Sequence, residues 1–136
     1  LPSRLIGPDK ELTGDEFEIY KSHTVLGQEM LEELCLGGLK LPAEVQVVAL
    51  QHHEKFNGCG YPNKKYGRQE ENGPVGIHLY ARIMAVADRY VELIQKIKLN
   101  NLQLTQAEIL GRMFKQDGSF DPKILEHFKD LIKKEI

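Results

Sequence analysis

The chain has 136 residues and a mass of 15.5 kDa, which favours a single domain over 1–136 able to bury roughly two-thirds of its unfolded surface. Hydrophobic residues are 41% and charged residues 28%, a globular balance that excludes a disordered tail. Eighteen basic residues against twenty acidic ones give −2, so no field of one sign draws the chain to a nucleic acid polymer or a membrane surface.

Apolar runs such as Val47-Val48-Ala49-Leu50 are far shorter than the ~20 residues of a membrane span. Two cysteines, Cys35 and Cys59, are too few for a disulfide framework and fit a reducing cytoplasm. Residues 1–12 carry Pro2, Gly7 and Pro8 and read as an irregular lead-in. Thr13 with Glu16 forms a capping box that predicts a first helix over about 14–36, stopped at Gly37-Gly38. Pro42 suits the start of a second helix over about 43–56. Asn57-Gly58-Cys59-Gly60-Tyr61-Pro62 is a dense turn signal, and 63–75 reads as a long surface loop. A third, strongly apolar helix is expected over about 76–98. Thr105 with Glu108 opens a fourth, ending near Gly118. Asp121-Pro122 opens a fifth, with Ile124, Leu125, Phe128, Leu131 and Ile132 on one face. The fold class is all-α, a helical bundle of about five helices.

Polar residues interrupt three of the apolar faces. The first helix reads Ile19, Tyr20, His23, Leu26, Met30, Leu34; the second reads Val45, Val48, Ala49, His52, Phe56, with His53 adjacent. The third reads Ile77, Ala81, Met84, Asp88, Val91. A buried charge is costly unless paired or bound to metal. One histidine on an apolar face is ordinarily satisfied by a backbone carbonyl, but imidazole and carboxylate on three inward faces is how bundles build metal sites. The competing reading is a polar network closed by hydrogen bonds. Such donors suit zinc, iron, manganese or nickel. Lys64, Lys65 and Arg68 make a basic patch in the long loop, either simply solvated or in contact with an anionic ligand. His78 and His127 read as surface residues, and Cys59 as an inert small residue.

The string His52-His53-Glu54-Lys55-Phe56-Asn57-Gly58-Cys59-Gly60-Tyr61-Pro62 resembles the HHExxDGxGYP signature of HD-GYP domains, with Asn57 in place of the aspartate. These domains are a bacterial branch of the HD phosphohydrolase superfamily whose members hydrolyse cyclic di-GMP. The run LTGDEFEIYKSHTVLG over 12–27 is similar to the family's approach to a metal-binding histidine, here His23. ARIMAVAD over 81–88 is similar to the stretch ending in a ligand aspartate, here Asp88, and Phe120-Asp121-Pro122 matches a C-terminal FDP.

The resemblance implies an HD-domain-like fold in which His23, His52, His53 and Asp88 ligate one or two divalent ions, iron or manganese foremost and zinc or nickel next. Glu54 would orient an imidazole, and Arg82 a carboxylate or phosphate. Gly58, Gly60, Tyr61, Pro62, Lys64 and Lys65 would form a loop for substrate or partner contact. The implied ligand is cyclic di-GMP or a related cyclic dinucleotide, the implied partner a diguanylate cyclase domain, and the implied location the bacterial cytoplasm. The His-Asp dyad that names the superfamily occurs nowhere in this sequence, and in the family it lies just upstream of the segment matching Leu1–Thr13. The chain thus reads as the C-terminal portion of a domain, or as one that has lost the dyad, and no residue of it is assigned a catalytic role. After Asp88 the family pattern vfDALTsxRpYr is replaced by Arg89-Tyr90-Val91-Glu92-Leu93-Ile94-Gln95-Lys96, leaving Lys96 and Lys98 as weak substitutes for arginines that touch phosphate. The expectations are a metal-dependent phosphodiesterase module, divergent and inactive as this chain alone, or a non-catalytic binding or interaction module on the same fold. A third is an HD phosphohydrolase acting on another nucleotide.

Overall fold

A computed structural model describes residues 11–68, 76–115 and 118–134. Among them are six helices: α1 Gly14–Lys21, α2 His23–Leu36, α3 Ala43–Gln51, α4 Leu79–Leu99, α5 Gln106–Phe114 and α6 Pro122–Lys134. Two isolated β-bridges, Asn57 to Tyr66 and Arg68 to Ile77, are the only extended pairings among the described residues. The chain is all-α, as the sequence predicts. The predicted lead-in up to residue 10 and the loop tip at 69–75 lie outside the described residues.

The predicted first helix is broken in two at Ser22. Three consecutive side chains bond back to carbonyls one turn earlier: Ser22 Oγ to Ile19 at 2.5 Å, His23 Nδ1 to Tyr20 at 2.6 Å and Thr24 Oγ1 to Lys21 at 3.1 Å. Such back-bonding competes with the helical ladder and bends it. The second predicted helix also ends early, at Gln51, because His52 turns its ring onto the carbonyls of Val48 and Ala49 at 3.1 and 2.9 Å. The third starts later than predicted, at Leu79, because the Ile77 amide is committed to the Gly67 carbonyl. His78 caps it, its Nδ1 accepting from the Tyr80 amide at 3.1 Å. Both predicted capping boxes are formed, Thr13 with Glu16 and Thr105 with Glu108, each closing two otherwise orphaned amides.

The core lies at the C-terminal end of the chain. Val86, Leu93 and Ile97 of α4 meet Ile109 and Met113 of α5 and Leu125 of α6. Tyr90 and Phe128 meet edge to face at 5.1 Å beside them. Each such fully buried apolar side chain contributes about 1.5–3 kcal/mol. The expected inward stripes of the first predicted helix, now α1 and α2, and of α4 are corrected here. Ile19, Leu26, Met30 and Leu34 are 44%, 53%, 58% and 47% exposed, and Met84 and Val91 are 45% and 50% exposed. These faces turn away from the α4–α5–α6 core, and α2 packs instead on α3. Leu131 of α6 is likewise outside the core.

Candidate metal centre

The break at Ser22 and the end of α3 bring three imidazoles together. The ring centres of His23 and His52 are 5.3 Å apart, those of His23 and His53 4.9 Å, and those of His52 and His53 4.3 Å. Each offers a ligand atom within 4.8 Å of the other two, the set that can hold a metal among the described residues. His53 stacks on Tyr61 at 4.9 Å with 17° between the ring planes.

Hydrogen bonding fixes how two of the rings present themselves. A carbonyl only accepts, so His23 Nδ1 must donate to Tyr20 O, and His52 Nδ1 to Val48 O and Ala49 O. In the neutral rings both Nε2 atoms then carry lone pairs, and these lie 3.3 Å apart. Two acceptors facing each other need a cation between them. A backbone carbonyl on the distal nitrogen is also the usual support of a metal-ligating histidine. Two of the rings, His53 and His23, are biased toward the neutral form that a metal requires. Burial, then the neighbouring imidazoles, lowers the pKa of His53 to about 3. Burial also lowers that of His23, against the opposing pull of the Tyr20 carbonyl and Asp88. The donor set therefore fits a divalent ion.

The cluster opens onto a cavity of about 370 Å³ whose lining includes His52, His53, Tyr20, Tyr61, Asp88, Arg89 and Glu92. Asp88 is exposed on the wall and is not among the three clustered ligands. Its charge reaches His23, Tyr20 and Tyr61. Burial raises the pKa of both tyrosines, and Asp88 and Glu92 add to the effect, so the phenols stay protonated.

Glu54 does something other than orient an imidazole. It is buried, and its two oxygens accept from the Asn63 amide at 2.7 Å and the Lys65 amide at 2.8 Å. It thereby folds the loop that carries Tyr61 back over His53, while the Tyr61 amide donates to the His53 carbonyl at 3.2 Å. Gly60 is required there, since a Cβ would overlap the Lys55 nitrogen and the His53 carbonyl oxygen. Gly58 adopts φ +80°, the left-handed region that favours glycine, and the Tyr61–Pro62 bond is cis. Lys64 is exposed, and exposed Cys59 has its amide capped by Asn57 Oδ1 at 3.0 Å.

Arg82 orients a carboxylate, that of Asp121. Arg68 Nε and Nη2 grip Asp121 Oδ2 and Oδ1, each at 2.9 Å, and Arg82 Nη1 reaches Oδ2 at 2.5 Å. Asp121 also caps α6 through the Lys123 amide at 3.0 Å. Burial alone would raise its pKa; the two guanidiniums outweigh it and hold the carboxyl well below the ordinary range. The expected basic patch is corrected accordingly: Arg68 is committed inward to Asp121, not grouped with Lys64 and Lys65. Lys96 is paired with Glu92 at 3.0 Å.

Sequence reading missed Tyr20, Arg89 and Glu92 as cavity residues. Their spacing was a usable signal: Tyr20 is one turn before His23, and Glu92 one turn after Asp88. Ser119 and Phe120 also line the cavity, brought there by the bond from the Phe56 amide to the Ser119 carbonyl; Phe120 belongs to the Phe120-Asp121-Pro122 motif, and nothing local marks Ser119. No helix among the described residues is long and apolar enough to cross a membrane.

Residues 1–124 match the HD domain family. A cyclic di-GMP phosphodiesterase of Thermotoga maritima is 31% identical over 134 residues, 98% of this chain and 33% of that protein. A cyclic di-GMP phosphodiesterase response regulator of Xanthomonas campestris is 33% identical over 125 residues, 91% of this chain and 30% of that protein. A 3′3′-cGAMP-specific phosphodiesterase of Vibrio cholerae is 28% identical over 137 residues, 97% of this chain and 24% of that protein. The chain spans a third or less of the length of these relatives.

Proposed function

The chain belongs to the HD-GYP branch of the HD domain family, and from that premise we propose that it is the metal-holding portion of a cyclic dinucleotide phosphodiesterase. The observation that carries this is the pair of Nε2 lone pairs 3.3 Å apart between His23 and His52, with His53 beside them. His23, His52 and His53 would hold a divalent ion, iron or manganese, with Asp88 completing the set from the cavity wall. Bound there, such an ion supplies Lewis acidity toward phosphate oxygens and acidifies water. The chain's own residues do the rest. Carbonyls of Tyr20, Val48 and Ala49 keep the Nδ1 protons in place and the Nε2 lone pairs turned to the site. Glu54 holds the Tyr61 loop across one side, and the Arg68–Asp121–Arg82 knot ties the start of α6 to α4 next to the cavity residue Phe120.

The substrate class is cyclic di-GMP or a related cyclic dinucleotide, as in the relatives' names. The loop from Gly58 to Lys65 would be the contact surface for substrate or for a diguanylate cyclase domain, in a bacterial cytoplasm. With no His-Asp pair in the sequence, this chain alone should bind without turning over. Equilibrium dialysis of cyclic di-GMP against manganese-loaded and chelator-treated chain tests this. Binding confined to the loaded protein, with no product, is expected. Equal binding without metal contradicts the metal-centred reading. Turnover that His52→Ala abolishes contradicts the inactivity.

A further inference from the structure

We infer that Arg89 is the anchor for a phosphoryl group of the ligand in this cavity, an inference that rests on the phosphodiesterase reading and specifies where the ligand's anionic group is held. The starting point is an unfilled donor. Arg89 Nη1 pairs with Glu92 Oε2 at 2.9 Å, while its Nε is buried and has no partner. Buried donors are nearly always satisfied, so one without a partner in the protein calls for an acceptor from outside it or a local strain. Arg89 lines the cavity next to Asp88, on the same wall and facing the same space as His52 and His53. Glu92 holds the guanidinium by one edge and is itself held by Lys96 at 3.0 Å. Burial would raise the pKa of Glu92, but the hydrogen bonds from Lys96 and Arg89 outweigh it and keep it ionised. A guanidinium tethered through Nη1 has Nε and Nη2 left as donors, and a side-chain rotation that uncovers Nε would offer both to two phosphate oxygens, which match that fork.

The other positive groups around the site are placed differently. In the family pattern the first arginine after the ligand aspartate falls at the position of Ile97, which here is a core residue packed with Val86 and Leu93. Lys96 is spent on Glu92 and Arg68 on Asp121, while Lys55 is the second cation that lines the cavity, beside the histidines. Arg89 stands where the pattern has an apolar residue, and Glu92 where it has alanine. The cation and its tether lie one turn apart on α4.

The test is cyclic di-GMP binding by titration calorimetry to the manganese-loaded 136-residue chain, comparing wild type, Arg89→Gln and Arg89→Lys, with Arg112→Ala, at an exposed position of α5, as a charge-matched control. Bound manganese and the thermal midpoint are recorded for each variant. We expect Arg89→Gln to weaken binding roughly 10- to 100-fold. Arg89→Lys should recover part of it, Arg112→Ala should bind as wild type, and all should keep their metal and midpoint. Unchanged affinity in Arg89→Gln, or a loss matched by loss of metal, overturns the assignment of Arg89 and leaves the metal centre standing. Failure of the loaded wild type to bind overturns both this inference and the reading it rests on.

Discussion

Replacing Asp121 with asparagine removes one charge and little else. Asparagine caps a helix about as well as aspartate, so the bond to the Lys123 amide survives. What is lost is the centre of a three-residue ion cluster. The Asp121 side chain is 1% exposed and that of Arg82 10%, so this pair is buried, and a charge-assisted bond there contributes about 1.5–3 kcal/mol. Arg68 is 37% exposed, and its share is screened to about 1 kcal/mol or less. The sum, about 3 kcal/mol at pH 7, sits at the lower end of the ~3–5 kcal/mol seen when one member of a buried pair is removed. In a chain of 136 residues that corresponds to a midpoint about 10 °C lower. The pH dependence has a definite sign. The folded pKa lies below the unfolded value of about 3.9, so the stabilisation is complete above pH ~4 and is lost as pH falls toward the depressed folded value. Urea unfolding of wild type and variant should show a gap of about 3 kcal/mol at pH 7. Below pH ~4 the gap should shrink by about 1.4 kcal/mol per pH unit, to about 2 kcal/mol at pH 3. A gap under about 1 kcal/mol at pH 7, or one that stays flat to pH 3, refutes the ion-cluster account.

Glu54→Gln should cost about 1–3 kcal/mol in urea unfolding, because its amide group would meet a loop amide that now donates to a carboxylate. It should also loosen Tyr61 from His53 and weaken manganese binding; a variant as stable as wild type contradicts the role given to Glu54. Gly60→Ala places a methyl against the Lys55 nitrogen and the His53 carbonyl oxygen. It should destabilise the chain by more than 1 kcal/mol and lower metal affinity, whereas Gly14→Ala, with open space around its Cβ position, should do neither. Equal behaviour of the two alanine variants would show that the close approach at Gly60 is not a constraint.

Features with local causes were legible in the sequence. The two capping boxes and the turn over 57–62 depend on residues within one or two turns of each other, and the three histidines stood out as polar interruptions of apolar faces although His23 and His52 are 29 residues apart. The helix break at Ser22 was not read, although Ser22-His23-Thr24 supplies three back-bonding side chains in a row. The outward faces of α1, α2 and α4 were misread because periodicity identifies an apolar stripe but not what covers it. Ile19, Met30 and Met84 satisfy the helical spacing and are still exposed. The work of Asp121 was hidden for a different reason: its two arginine partners are 53 and 39 residues away, beyond any local pattern. Glu54 stood next to the histidines in sequence, which suggested an imidazole partner, but the turn carries its carboxylate to the amides of Asn63 and Lys65.

The central claim is that His23, His52 and His53 form a divalent metal site, and elemental analysis tests it most directly. The chain should be purified without chelators, dialysed against manganese and compared with His52→Ala prepared in parallel. About one ion per wild-type chain, absent from a His52→Ala protein of unchanged helix content, is the predicted result. No bound metal in the wild type, or equal metal in both proteins, would contradict it, and the facing Nε2 atoms would then share only a proton.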